Sequence, residues 1–136
     1  MQTRVHHLQF NVRPDNLPFY RDLLQMLGWA SIHEDETGLG VAEPGGQGSL
    51  WFFGIANDAA NDYDGPGLNH FAFGADKQGD VDGATAWLRE RGVELLWETP
   101  RHREEFSGDG TTYYQAMFES PDRIQFEIVY TGPKSA

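Results

Sequence analysis

The feature that most constrains this chain is that its pattern runs through once and then starts again. A strand opening on a histidine, a helix stopped by glycine and three further strands occupy residues 4–56, and the same series returns over residues 68–131. His7 and His70 are 63 positions apart, and Gly28 and Gly92 are 64 apart. Residues 57–67, "NDAANDYDGPG", carry turn formers with almost no apolar content and read as the connection. A duplication this short and this mixed is not a solenoid. It implies an α+β fold in one domain, residues 1–136: two β-α-β-β-β modules forming a curved mixed sheet with a concave site.

Local patterning supports each element. Leu8, Phe10 and Val12 alternate with His7, Gln9 and Asn11, the period of a half-buried strand. Tyr20, Leu23, Leu24 and Leu27 recur at helical spacing, with Asn16 as cap, Pro18 in the first turn and Gly28 as the stop. Turns at "EDETG" and "PGGQG" divide the rest of the first module into strands ending in "SLWFFGIA". In the second module "LNHFAFGA" reads as a strand, and Val81, Ala84 and Leu88 mark a helix stopped at Gly92. "VELLWETP", "TTYYQAMFES" and "RIQFEIVY" are expected as its last three strands. Laying "LWFFGI" over "IQFEIV" sets Phe53 against Glu127.

Alternation assigns faces. If Leu8, Phe10 and Val12 pack on the helix, His7 projects from the other side of the sheet. By the same rule Phe71 and Phe73 leave His70 opposite, and Ile124, Phe126, Ile128 and Tyr130 leave Gln125, Glu127 and Val129 opposite. His7, His70 and Glu127 therefore share the face that the helices leave open. Two imidazoles and a carboxylate are the ingredients of a divalent-metal site with free coordination positions, suited to Fe, Mn, Ni, Co or Zn.

Composition narrows the partners. The chain has no cysteine, so any metal must be held by His and carboxylates. A formal charge of -11 repels phosphate backbones and anionic lipid, which argues against nucleic acid and membrane and for a small-molecule substrate. No apolar run is long enough to span a bilayer, and a cytoplasmic protein is expected.

"HHLQFNV", "LNHFAF" and "YYQAMFESPDRIQFEIVY" closely resemble the signature strands of the vicinal oxygen chelate superfamily, which includes glyoxalase I, fosfomycin- and bleomycin-resistance proteins and extradiol dioxygenases. The resemblance covers nearly the whole chain and implies a ligand His in the first strand of each module and a Glu in the last, here His7, His70 and Glu127. It also implies a homodimer. Two departures stand out. The last strand of the first module offers Trp51, Phe53 and Ile55 where four-ligand members carry a Glu, leaving a set like the His-His-Glu of the extradiol dioxygenases. "SPDR" replaces the usual "DPDG", with Arg123 at the turn glycine.

The expected function is that of a metal-dependent enzyme. One divalent ion would chelate a small oxygen-bearing substrate for isomerase, lyase or oxygenase chemistry, with Glu127 taking part. Of the adjacent phenols, alternation puts one on the open face without fixing which; Tyr114 is assigned proton handling and Tyr113 a substrate contact. Trp51 and Phe53 would form an apolar wall for a planar ligand. The polar loop 101–112 is either a surface hairpin or a cover for the site; folded inward, it would bring Arg101, His102 and Arg103 to an anionic substrate group. The alternative is a metal-free protein that sequesters a small molecule, as bleomycin-resistance proteins do.

Overall fold

The computed structural model describes residues 1–135. The chain divides into two compact units, Met1–Ala60 and Asn61–Ala136, with the boundary inside the expected connection.

In the first unit, β1 (His7–Asn11) leads through a short 3-10 turn into α1 (Leu17–Met26), followed by β2 (Ala30–Glu34), β3 (Gly38–Ala42) and β4 (Ser49–Phe53). The sheet order is β1-β4-β3-β2, with β1 and β4 parallel and the other pairs antiparallel. Tyr20, Leu23 and Leu24 are the buried residues of α1. Phe52 stacks against Phe10 at 4.9 Å and against Tyr20 at 4.8 Å, so two strands and the helix meet on aromatic faces.

The second unit repeats the plan. β5 (Phe71–Ala75), α2 (Gln78–Glu90), β6 (Arg101–His102), β7 (Thr111–Glu119) and β8 (Gln125–Pro133) form a sheet in the order β5-β8-β7-β6, again with the first and last strands parallel. Val81, Ala84 and Leu88 are buried with Phe73, Phe118, Phe126 and Ile128. Gly28 and Gly92, just past the two helices, both take left-handed φ values, +86° and +73°, that an L side chain resists. The α+β class and its two modules are thus present as expected.

Three expectations are corrected. "VELLWETP" is not a strand: Leu95 makes one bridge to Phe118, Trp97 and Glu98 turn left-handed, and the sheet edge is taken instead by β6, inside the expected loop. Pro100, which has no N–H for a ladder, follows that turn. The connection is also less bare than its composition suggests, since Tyr63 is buried and its hydroxyl donates to Glu119 at 3.0 Å.

The third correction concerns the match between modules. Trp51 lies opposite Gln9, two residues after His7, and Glu127 lies opposite Ala72, two residues after His70. The residue equivalent to Glu127 is therefore Trp51, not Phe53. A slip of two keeps every side chain on its face, and the face assignment survives it.

Candidate metal site in the second unit

Glu127 stands in the middle of β8 between β5 and β7 and is 2% exposed. A carboxylate this deep needs partners for both oxygens. Its Oε1 accepts the Tyr113 hydroxyl at 2.6 Å and the Gln115 Nε2 at 2.8 Å. Both donors come from β7 at alternate positions, so one face of that strand supplies them. Arg103 Nη1 donates to Gln115 Oε1 at 2.8 Å, which turns the amide nitrogen toward Glu127.

The other oxygen, Oε2, faces His70 Nε2 at 3.0 Å. His70 lies immediately before β5 and its side chain is 37% exposed. Its Nδ1 is 2.7 Å from Asn69 Oδ1, and Asn69 Nδ2 donates to the Tyr63 carbonyl at 3.0 Å. Because a carbonyl only accepts, the Asn69 nitrogen is the atom at Tyr63 and its oxygen is the atom at His70. Nδ1 must therefore carry the hydrogen. In the neutral ring that leaves a lone pair on Nε2 aimed at a carboxylate oxygen, a repulsive arrangement unless a proton or cation lies between.

This donor set fits a borderline divalent ion. One ion at the roughly 2.1 Å typical of such bonds can reach both atoms, and each ligand is oriented from behind by hydrogen bonds. Among the described residues, no group of three or more His, Cys, Asp or Glu side chains is gathered as a metal cluster. His7 opens β1 of the first unit, exposed, with its Nδ1 2.9 Å from that of His6.

The two phenols have opposite surroundings. Tyr114 faces α2, where its hydroxyl donates to Asp82 at 2.5 Å, so the phenol at Glu127 is that of Tyr113, and Tyr114 is corrected to a helix-facing residue. Burial, and then the hydrogen bond to Glu127, push the Tyr113 pKa up to about 12; burial and Asp82 push Tyr114 up to about 12.

Part of the 101–112 segment does fold onto this face. Phe106 packs edge-on against Tyr113 at 5.4 Å, and the Arg103 guanidinium lies over Phe106 at 4.8 Å. Arg101 pairs with Gln115 and so shares its face; its Nη1 is 3.9 Å from Glu98, and its Nε is enclosed without a hydrogen-bond partner. Gln115 and Asn69 were not singled out from sequence. Gln115 could have been found as the residue two places from Tyr113; nothing local marks Asn69.

In the first unit, Trp51 and Phe53 lie side by side on β4. Their rings stack at 6.1 Å, half-buried, on the face opposite Leu50 and Phe52. Gly40 and Gly38 lie across from them on β3, and a Cβ at Gly40 would meet the Trp51 ring at 2.6 Å. His33 and His6 are exposed, His33 beside Asp35 at 3.0 Å.

No helix among the described residues is long and apolar enough to cross a membrane. Among solved structures, a candidate glyoxalase from Bacillus halodurans superposes with TM-score 0.78 at 29% identity, covering 95% of this chain and 96% of that one. The fosfomycin resistance protein FosX from Listeria monocytogenes, complexed with Mn(II) and sulfate, shares the fold with TM-score 0.68 at 21% identity, covering 96% and 91%. The protein YqjT of Bacillus subtilis (strain 168) is 41% identical over 63 residues, and the match spans 46% of each chain, less than half the length of that relative. The paired modules match the sequence model of the Glyoxalase/Bleomycin resistance protein/Dioxygenase superfamily over residues 4–128, and the chain belongs to that superfamily.

Proposed function

We propose that this protein is a metal-dependent enzyme acting, as a homodimer, on a small oxygen-bearing substrate, with His70 and Glu127 as two of its metal ligands. The observation that carries the reading is the approach of His70 Nε2 to Glu127 Oε2, 3.0 Å apart, a nitrogen and an oxygen donor that one ion can bridge. A divalent cation there would supply Lewis acidity for isomerase or lyase chemistry or, if redox-active, oxygenase chemistry.

The chain's own groups have definable tasks. Tyr113 and Gln115 pin Glu127 Oε1 and leave Oε2 for the ion. The Tyr113 hydroxyl gives its one hydrogen to Glu127, which leaves its oxygen to accept from a substrate hydroxyl. Arg101, on the same face, can meet an anionic substrate group.

Elemental analysis of untagged protein tests this directly. About one divalent ion per chain is expected in the wild type and none in His70→Ala or Glu127→Gln. A wild type that takes up no Fe, Mn, Ni, Co or Zn on reconstitution would sink the reading.

One observation favours a second reading. The Trp51–Phe53 stack, cleared by two glycines, suits a planar ligand without any metal. On that reading binding survives chelation.

A further inference from the structure

The turn that replaced the expected strand holds a large apolar side chain in a strained place. The Thr99 N–H closes it on the Leu96 carbonyl at 3.0 Å, with φ of +57° at Trp97 and +58° at Glu98. A turn with both central residues left-handed favours Asn and Gly; an indole and a glutamate occupy this one. Bonds around it keep it closed. Thr99 Oγ1 donates to the Leu96 carbonyl at 2.7 Å and accepts the Met117 N–H at 2.9 Å. Strain of this kind persists where surrounding structure over-determines it, and it gathers at ligand-binding positions.

The place of Trp97 on the sheet shows what it can contact. The Leu96 N–H donates to the Met117 carbonyl at 2.7 Å and Leu95 bridges Phe118, so this segment runs along the outer side of β7. The Trp97 Nε1–H donates to Gln125 Oε1 at 2.9 Å, and Gln125 lies on β8, on the other side of β7. The indole therefore crosses β7 on the face of Gln125 and Glu127, next to the row in which Met117 pairs with Glu127. The residue is nonetheless 56% exposed. Phe106, 59% exposed, stands against Tyr113 on the same face. Gln125 lies two residues before Glu127, and Thr131, the partner of Tyr113, lies four after it, so the two exposed aromatics come to Glu127 from opposite ends. An indole tied at Nε1 has no hydrogen bond left to give. What it presents is a fixed π face, which a second flat ring in an offset stack complements best.

We infer that Trp97 is a substrate-contacting residue that selects a flat aromatic ring carried beside the oxygens that reach the metal, with Phe106 bounding the far side of the same face. The inference deepens the proposed function and rests on that reading for where the oxygens go. The contact between ring and indole needs no metal.

The first arm of the test uses metal-free protein and 1H–15N NMR, with the Trp97 indole N–H signal identified by its absence from Trp97→Gly, a substitution that the left-handed φ favours. Benzamide should shift that signal. Acetamide and cyclohexanecarboxamide, which lack the flat ring, should leave it in place. The second arm uses protein loaded with its divalent ion and two chelators, benzohydroxamate and acetohydroxamate, that offer the same pair of neighbouring oxygens. Wild type should prefer the first by about tenfold, the size of one or two aromatic contacts. The preference should be lost in Trp97→Gly and kept in part in Trp97→Phe. A Trp97 signal that ignores benzamide, that follows cyclohexanecarboxamide equally, or that moves only on dilution because a second copy of the chain covers the ring, overturns the inference. So does a preference that persists in Trp97→Gly. A benzamide shift in a protein that takes up no divalent ion overturns the metal enzyme and leaves the ring contact standing.

Discussion

Tyr113 and Tyr114 differ by one position and have opposite tasks, because a strand turns successive side chains to opposite faces. Tyr113→Phe removes one of two donors to a buried carboxylate and should weaken metal binding and activity while leaving the helix packing intact. Tyr114→Phe leaves Asp82 without its phenol and should cost about 1 kcal/mol of stability with little change at the site. Urea unfolding with metal titration separates the two; the opposite pattern would reverse the assignment of faces. The pH dependence follows from the same groups. Each phenol has a folded pKa of about 12 against an ordinary value near 10. The neutral form is favoured in the folded state, so this stability is full below about pH 10 and is lost as pH rises through 12. Tyrosinate absorption should therefore appear together with loss of ellipticity in that window. Arg123 illustrates a different residue-scale balance. It stands at φ +58° where a glycine would be cheaper, yet its guanidinium lies 5.4 Å from the Tyr63 ring and 3.6 Å from Glu119, contacts that offset the strain in part.

At the scale of elements, the strand faces were legible and the strand ends were not. Period-2 alternation placed Glu127 and Gln125 opposite Phe126 and Ile128, because burial acts on whole faces. What it could not supply was register, which depends on pairing between distant strands; hence Trp51 rather than Phe53 matches Glu127. "VELLWETP" failed because its apolar run is spent on one bridge and a left-handed turn held by Thr99, a tertiary constraint with no local mark. Asn69 and Trp97 were invisible for the same reason. The glycines of β3 give a test at this scale. Gly40 is bare because the Trp51 ring lies over it, so Gly40→Val should force Trp51 aside and cost about 1–3 kcal/mol. In the double variant with Trp51→Ala most of that loss should be recovered. A double-mutant cycle in urea measures the coupling, and additive losses would mean that the ring does not need the space.

At the scale of the whole molecule, a net charge of -11 gathers cations of every kind, and both readings of the function involve a cation. They differ in where it goes. A metal ion between His70 and Glu127 is held by a ligand that is 2% exposed, where added salt screens little. A planar cation on the Trp51–Phe53 wall is held at a half-buried surface and also benefits from the acidic field, which salt collapses within about 10 Å at 0.1 M. A ligand that binds only the folded state raises the melting temperature in proportion to the logarithm of its saturation. Scanning calorimetry should then separate the two readings on one sample. If the protein is the metal enzyme, a chelator should lower the melting temperature of the purified protein, the same divalent ion should restore it, and sodium chloride should leave that increment nearly unchanged. If it is a sequestering protein, the chelator should do nothing, and the increment given by a planar cationic dye should shrink steadily with salt.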